Sequence, residues 1–100
     1  MATNFGATYR TPRNGRFASD MQAAVAQHSV VTRLSQQMML RSCGNDLTEA
    51  QESVLAEALV LINAGRANVV AFEQGGGRGL LVDAMQSFGT AYHMLDAANR

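Results

Sequence analysis

The fold of this 100-residue chain is decided by residues 54–69, which read VLAEALVLINAGRANV. Apolar residues recur there at helical spacing on two neighbouring faces: Val54, Ala58, Leu61 and Gly65 on one, and Leu55, Leu59, Ile62 and Val69 on the other. Together the two faces cover more than half of a helix circumference. We therefore expect a helix over about residues 47–72 that is buried centrally.

This helix carries more apolar surface than one antiparallel partner helix can cover. Burying the surplus against another subunit would be favourable, so we expect a homo-oligomer with Leu59 and Val69 at the subunit contact. The small residues Ala64, Gly65 and Ala67 would let another backbone come close.

A first helix is expected over about residues 19–42. Ser19 and Gln22 have the spacing of a capping box, which indicates that the helix begins there. Gly44 is expected to be the left-handed residue that ends it. Asp46 followed by Glu49 repeats the capping pattern at the start of the second helix. So short a connection is typical of antiparallel helical neighbours.

The glycine-rich run at residues 75–79 should break the second helix and act as a hinge. After it, residues 80–98 have a one-sided apolar pattern that predicts an amphipathic helix. This third helix packs on the hairpin or exchanges with a neighbouring subunit. The predicted fold class is all-α: a single domain with an antiparallel helical hairpin, a C-terminal amphipathic helix and an extended N-terminal arm over residues 1–16.

Composition limits the partners of the protein. Its net charge is zero, which argues against bulk DNA binding, where a strongly basic face supplies most of the affinity. All eight basic residues are arginine. Guanidinium groups suit the binding of carboxylates and phosphates, although a GC-rich genome would produce the same bias.

Cys43 is the single cysteine, so an intramolecular disulfide or a cysteine-based zinc site is not expected. The first residues lack the features of a signal peptide, and no uninterrupted apolar run approaches membrane-spanning length. We expect a cytoplasmic protein, or one inside a virion, with no membrane partner.

The arm is the strongest candidate for a binding site. Tyr9 offers a face for stacking on a base, while Arg10, Arg13 and Arg16 can reach phosphate oxygens. Pro12 presets the backbone between them. The alternative is a disordered tail with incidental charges, since chain termini often lack order.

Other candidate sites are weaker. The run Gly76–Gly79 with Arg78 could form an anion nest, but it lacks the lysine and preceding strand of a nucleotide loop, and a plain linker is the alternative. His28 and His93 have no metal-ligand spacing, so we interpret both as structural. We expect no enzyme activity, no metal and no cofactor.

Two stretches resemble a family of small helical phage proteins that sequester cyclic oligonucleotides and so counter the bacterial defences CBASS and Thoeris. Residues 8–13, TYRTPR, are similar to the family pattern Thr-Tyr-His-x-Pro-Lys. Residues 57–67, EALVLINAGRA, are similar to its Glu-Ala-Val-Met-Trp-Ala-Asn-Ala-x-x-Ala. The similarity extends over about two thirds of the chain, with Arg10 at the histidine position and Leu61 at the tryptophan position.

The resemblance implies a non-enzymatic sponge located in the host cytoplasm. It implies that a cyclic di- or trinucleotide binds between protomers, with Tyr9 on the base and arginines on the phosphates. Asn63 and Arg66, in the second similar stretch, join the candidate ligand-binding residues Tyr9, Arg10, Pro12, Arg13 and Arg16. The alternative function is a helical protein–protein interaction module, such as an inhibitor or a virion assembly subunit, which binds a host or phage protein.

Overall fold

The computed structural model describes residues 18–100, which form three α-helices and no strand. Helix α1 spans Ala18–Cys43, α2 spans Glu49–Glu73 and α3 spans Arg78–Ala98. The predicted all-α class is confirmed for these residues, and every predicted helix boundary lies within two residues of the observed one. The predicted arm, residues 1–16, lies outside the described part of the chain.

The three helices form an elongated bundle of 46 × 23 × 18 Å in which α1 and α3 run parallel. Polar contacts join these two helices at both ends. At their starts, Arg78 Nε lies 2.6 Å from Asp20 Oδ2. At their ends, Arg41 Nη1 donates to Asn99 Oδ1 at 2.6 Å. Helix α3 therefore packs on the hairpin of its own chain.

Helix α2 runs antiparallel to both, and its first turn is tied to the end of α3. Thr48 and Gln51 form a capping box: the Thr48 side chain accepts from Gln51 N, and the Gln51 side chain accepts from Thr48 N. Gln51 Nε2 also donates to Ala98 O at 2.8 Å, which satisfies a carbonyl that the end of α3 leaves unpaired. One side chain therefore stabilises two helix ends.

Helix α3 is the central helix of the bundle. It packs most extensively on α2 and next on α1, whereas α1 and α2 contact each other least. Its five inward residues are fully buried: Leu81, Ala84, Phe88, Ala91 and Leu95. The expectation that the second helix is the centrally buried one is therefore wrong.

Within α2, one stripe of the apolar surface is buried. Val69, expected at a subunit contact, is fully buried in this stripe, so it belongs to the core of the single chain. Leu59 packs against the core and is half-buried, while Val60 points outward and is 68% exposed.

Among the described helices, α2 is the one whose length and composition would allow it to cross a membrane, with a mean hydropathy of 1.5 over its most apolar 18 residues. The sequence analysis expects no apolar run of membrane-spanning length, and by length and composition α2 is a marginal exception. Glu57, Asn63 and Arg66 lie within α2, and charged side chains in hydrocarbon are costly. The same composition also suits a helix that forms one wall of a bundle.

The helix caps differ from the sequence predictions at three places. Ser19 lies inside α1 instead of capping it. The second helix is capped by Thr48, not by Asp46, whose carboxylate instead lies 3.2 Å from Arg41 Nε. Asn45, not Gly44, takes the left-handed conformation after α1, with φ 58°. Asparagine tolerates this conformation because its side chain is short and polar.

The glycine run ends α2 in a fixed turn. Gly75 has φ 109°, a conformation that favours glycine. Gly75 N donates to Phe72 O and Gly76 N to Ala71 O, the pair of hydrogen bonds that defines a Schellman motif. Helix α3 already begins at Arg78, so the predicted hinge over residues 75–79 is shorter than expected and includes the first turn of a helix.

Helices α2 and α3 pack closely at Gly65. A Cβ added to Gly65 would lie 2.6 Å from Phe88 Cε1, closer than atoms in proteins approach each other. Phe88 is fully buried, so its ring has no free space to move into. The two helices can therefore pack at this distance only because residue 65 has no side chain.

We expect Gly65→Ala to destabilise the protein by about 1–3 kcal/mol, because overpacking costs more than the helix propensity that alanine gains. A loss of that size lowers Tm by about 4–8 °C per kcal/mol in a domain of this length. Urea and thermal unfolding followed by circular dichroism measure the change.

Gly79→Ala is the matched control, because a Cβ at Gly79 meets nothing within 4 Å. It should leave stability unchanged or raise it by up to about 1 kcal/mol. Equal effects of the two substitutions would contradict the role of Gly65 in helix packing.

Candidate functional site

Asn63 and Arg66 are the predicted site residues that the structure describes. They are three residues apart on α2, so their side chains leave the same face of the helix. The other five candidates lie outside the described residues: Tyr9, Arg10, Pro12, Arg13 and Arg16.

Asn63 and Arg66 line a groove of about 300 Å³ between α1 and α2, which we call the α1–α2 groove. It lies between the two helices that contact each other less than either of them contacts α3. Its lining residues are His28, Thr32, Ser35, Gln36 and Met39 from α1, and Leu59, Ile62, Asn63 and Arg66 from α2.

The α1 wall of the groove follows from helical spacing. His28, Thr32 and Gln36 are four residues apart, so they form one row beside the buried stripe of α1. The metal-ligand spacing rule indicates a structural role for His28, and no sequence motif points to Thr32 or Gln36. The sequence shows this row as polar residues at positions i, i+4 and i+8. It does not show which helix the row faces.

His28 connects the groove to the core. Its ring meets the Phe88 ring edge to face, with centroids 5.4 Å apart and planes at 62°. Burial lowers the pKa of His28, and the positive charge of Arg66 lowers it further. The imidazole is therefore held in its neutral form, in which one ring nitrogen donates and the other accepts a hydrogen bond.

Thr32 brings a buried hydroxyl group to the same wall. Its carbonyl accepts a hydrogen bond from Ser35 Oγ at 2.8 Å. Thr32 Oγ1, in contrast, is buried and has no hydrogen-bond partner among residues 18–100. A buried hydroxyl without a partner costs about 1–3 kcal/mol, so this wall of the groove carries an unsatisfied polar group.

A second depression of about 430 Å³ adjoins the groove along α2. Asn63 and Arg66 line both, so their side chains stand between the two spaces. The depression continues past Val70 to Gln74, at the end of α2. A ligand larger than the groove could therefore extend along this face and keep its contact with Arg66.

The lining of the α1–α2 groove contains one formal charge. Arg66 is cationic, and none of the nine lining residues is a carboxylate. Asn63, Gln36 and Thr32 add neutral donors around it. A site with a guanidinium group, several neutral donors and no anionic side chain favours an anion with hydrogen-bond acceptors.

The metal and anion sites considered outside the groove have little support in the described part of the chain. Residues 18–100 contain no group of three His, Cys, Asp or Glu side chains that could hold a metal ion. In the Gly76–Gly79 run, for which an anion nest and a plain linker were the alternatives, Gly76 N donates to Ala71 O and Arg78 is paired with Asp20, so these two groups serve the fold of the chain.

Comparison with protein-family models, with curated proteins and with solved structures returns no match for this chain. The function is therefore inferred from the geometry of the groove and from the sequence.

We expect the pH dependence of stability to depend on His28. Its pKa is lowered in the folded protein, so between the usual value of 6.5 and the folded value the unfolded chain binds the proton more readily. The contribution of neutral His28 to the free energy of unfolding is therefore fully present above pH 6.5 and is lost as pH falls through its folded pKa. Urea unfolding at pH 7.5 and at pH 5.5 should give a lower free energy of unfolding at the lower pH.

His28→Gln should flatten this dependence, because glutamine does not titrate. His93→Gln is the matched control, because it removes the other histidine, which is exposed on α3. The assignment to His28 is wrong if His28→Gln retains the full wild-type slope.

Proposed function

We propose that the protein is a non-enzymatic binding protein that sequesters a nucleotide-like anion. The observation that carries the proposal is the α1–α2 groove, where Arg66 and Asn63 stand opposite His28, Thr32 and Gln36 without a carboxylate among the lining residues. Phosphate and base edges both present acceptors that these groups could bind.

The geometry of the groove favours binding over catalysis. A hydrolase or transferase needs a nucleophile with a general base in reach, or a bound metal. The nine residues that line the groove include no Asp, Glu or Cys side chain, so they supply neither a carboxylate base nor a thiol nucleophile. A ligand held there would be retained unchanged, as sequestration requires.

The resemblance at residues 8–13 and 57–67 favours a cyclic di- or trinucleotide as the ligand. In this proposal the protein is a phage anti-defence sponge in the cytoplasm of the host cell, and it acts as a homo-oligomer. Tyr9 stacks on a base, and Arg10, Arg13 and Arg16, preset by Pro12, hold phosphates together with Arg66. The open shape of the groove supports a site that needs a further segment or subunit to close it.

Calorimetry with cyclic di- and trinucleotides, linear dinucleotides and inorganic phosphate tests this proposal. We expect Arg66→Gln to weaken binding about 10- to 100-fold, because a charge-assisted hydrogen bond contributes about 1.5–3 kcal/mol. Tyr9→Ala and Arg13→Ala should each weaken it by about 1–3 kcal/mol. None of the three should change the oligomer mass.

Arg33→Gln is the matched control: Arg33 is exposed on α1 and does not line the groove. It removes the same charge and should leave the affinity nearly unchanged. Equal losses in Arg33→Gln and Arg66→Gln would indicate non-specific attraction. The absence of heat with every nucleotide at about 100 μM protein would rule out the sponge.

A second candidate function is a protein–protein interaction module, and the end of α1 supports it. Leu40 is 75% exposed and Met39 is 44% exposed. With Gln36 and Cys43 they line a shallow depression of about 420 Å³. Apolar residues clustered at the surface are typical of a site that another protein covers.

Under this second reading, Leu40→Glu should abolish co-purification of a macromolecular partner. It should change the free energy of unfolding by less than about 0.5 kcal/mol, because the side chain is exposed. Pull-down from the source cell followed by mass spectrometry measures the loss. Arg66→Gln should retain the partner in this case. Under the sponge proposal, Arg66→Gln should lose ligand binding and Leu40→Glu should retain it.

A further inference from the structure

A second groove lies on the other flank of α1, between α1 and α3, and we call it the α1–α3 groove. Its volume is about 400 Å³. Its floor includes the buried Phe88, and its walls include Val30 of α1 and Gly89 and Tyr92 of α3.

Gly89 forms a notch in the wall of this groove. A Cβ added to Gly89 would meet nothing within 4 Å, in contrast to Gly65, where the Phe88 ring leaves no space. Glycine inside a helix is less stable than alanine. Packing within the chain therefore gives no reason for a glycine at position 89, whereas close approach of another molecule would.

Two apolar side chains project beside the notch. Val30 is 41% exposed and Tyr92 is 39% exposed, and they come from the two helices that form the groove. The Tyr92 ring is held by an edge contact with His93, with centroids 5.5 Å apart and planes at 72°. The groove therefore presents, on one surface, a projecting ring and a notch that the same ring of a second copy could fill.

A surface with both a projection and a matching notch is complementary to itself. In a two-fold dimer the same patch of each subunit meets the other, so each projection can enter the notch of the opposite subunit. The residues that line the groove include no Asp, Glu, Lys or Arg, so two copies of this surface would meet without like-charge repulsion. A second copy of the chain therefore fits better than a charged partner.

The face formed by α1 and α3 is large enough for a small interface. Helix α3 has 21 residues. At about 1.5 Å per residue it is about 30 Å long, and two helices packed about 9 Å apart form a face about 20 Å wide. A contact over this whole face would cover roughly 600 Å² per subunit, which is below the value of about 800 Å² for an interface of standard size and therefore favours a weak dimer.

We propose that a second copy of this chain covers the α1–α3 groove, with Tyr92 of each protomer packed against the partner subunit's Gly89. The interface is separate from the α1–α2 groove, so it goes beyond the proposed function and does not rest on it. It also differs from the subunit contact through Leu59 and Val69 that the sequence predicted.

Light scattering and native mass spectrometry of the full-length chain test the proposal. The wild-type protein should have about twice the 10.7 kDa mass of the chain at about 100 μM. Gly89→Leu should reduce the mass to 10.7 kDa at the same concentration, because the new side chain fills the notch. Its Tm should equal or exceed that of the wild type, since a Cβ at this position meets nothing within 4 Å and leucine has the higher helix propensity.

Three further variants locate the interface. Gly79→Leu places the same side chain at another open position of α3 and should keep the dimer mass. Tyr92→Arg should give a monomer by adding a charge to the centre of the interface. Leu40→Glu, at the end of α1, should keep the dimer mass.

The proposal is overturned if the wild type remains a monomer at about 100 μM, or if folded Gly89→Leu remains a dimer. It is also overturned if Leu40→Glu dissociates the dimer while Tyr92→Arg does not. Calorimetry with the cyclic nucleotides on the wild type and Arg66→Gln tests the sponge proposal separately. The dimer requires no ligand, so a failure of nucleotide binding would leave the dimer proposal intact, and the reverse.

Discussion

The contact between Phe88 and Gly65 is the constraint on which the rest of the structure depends. Phe88 is fully buried at the point where the three helices meet, and the missing side chain at Gly65 lets α2 approach its ring. His28 packs on the same ring from α1. One aromatic side chain of α3 therefore contacts both other helices, and this makes α3 the centre of the bundle.

The grooves are a consequence of that arrangement. Because α1 and α2 both pack on α3, they contact each other least, and the α1–α2 groove lies between them. The end contacts Asp20–Arg78 and Arg41–Asn99 hold α1 parallel to α3, with the α1–α3 groove between those contacts. The chain thus has a polar groove with Arg66 on one flank of α1 and an uncharged groove on the other.

The two grooves suit different kinds of binding. In the α1–α2 groove, neutral His28 and the buried Thr32 hydroxyl accompany the positive charge of Arg66, an arrangement that fits a small anion. In the α1–α3 groove, the open position at Gly89 lies beside the exposed ring of Tyr92, an arrangement that fits another helix face. A protein that sequesters a ligand as an oligomer would need one surface of each kind.

The sequence by itself determined the helices, because apolar spacing and breaker residues act within a few turns of chain. It also selected Asn63 and Arg66 as candidate ligand contacts, and it identified the glycine run as the end of α2. The tertiary structure decided the caps at Thr48 and Asn45, the central position of α3 and the neighbours of Arg66. These depend on which helix faces which, and that choice rests on the close packing of Phe88 against Gly65, a contact between residues far apart in the chain. Periodicity places a residue on a face of its helix, but only packing determines what that face meets.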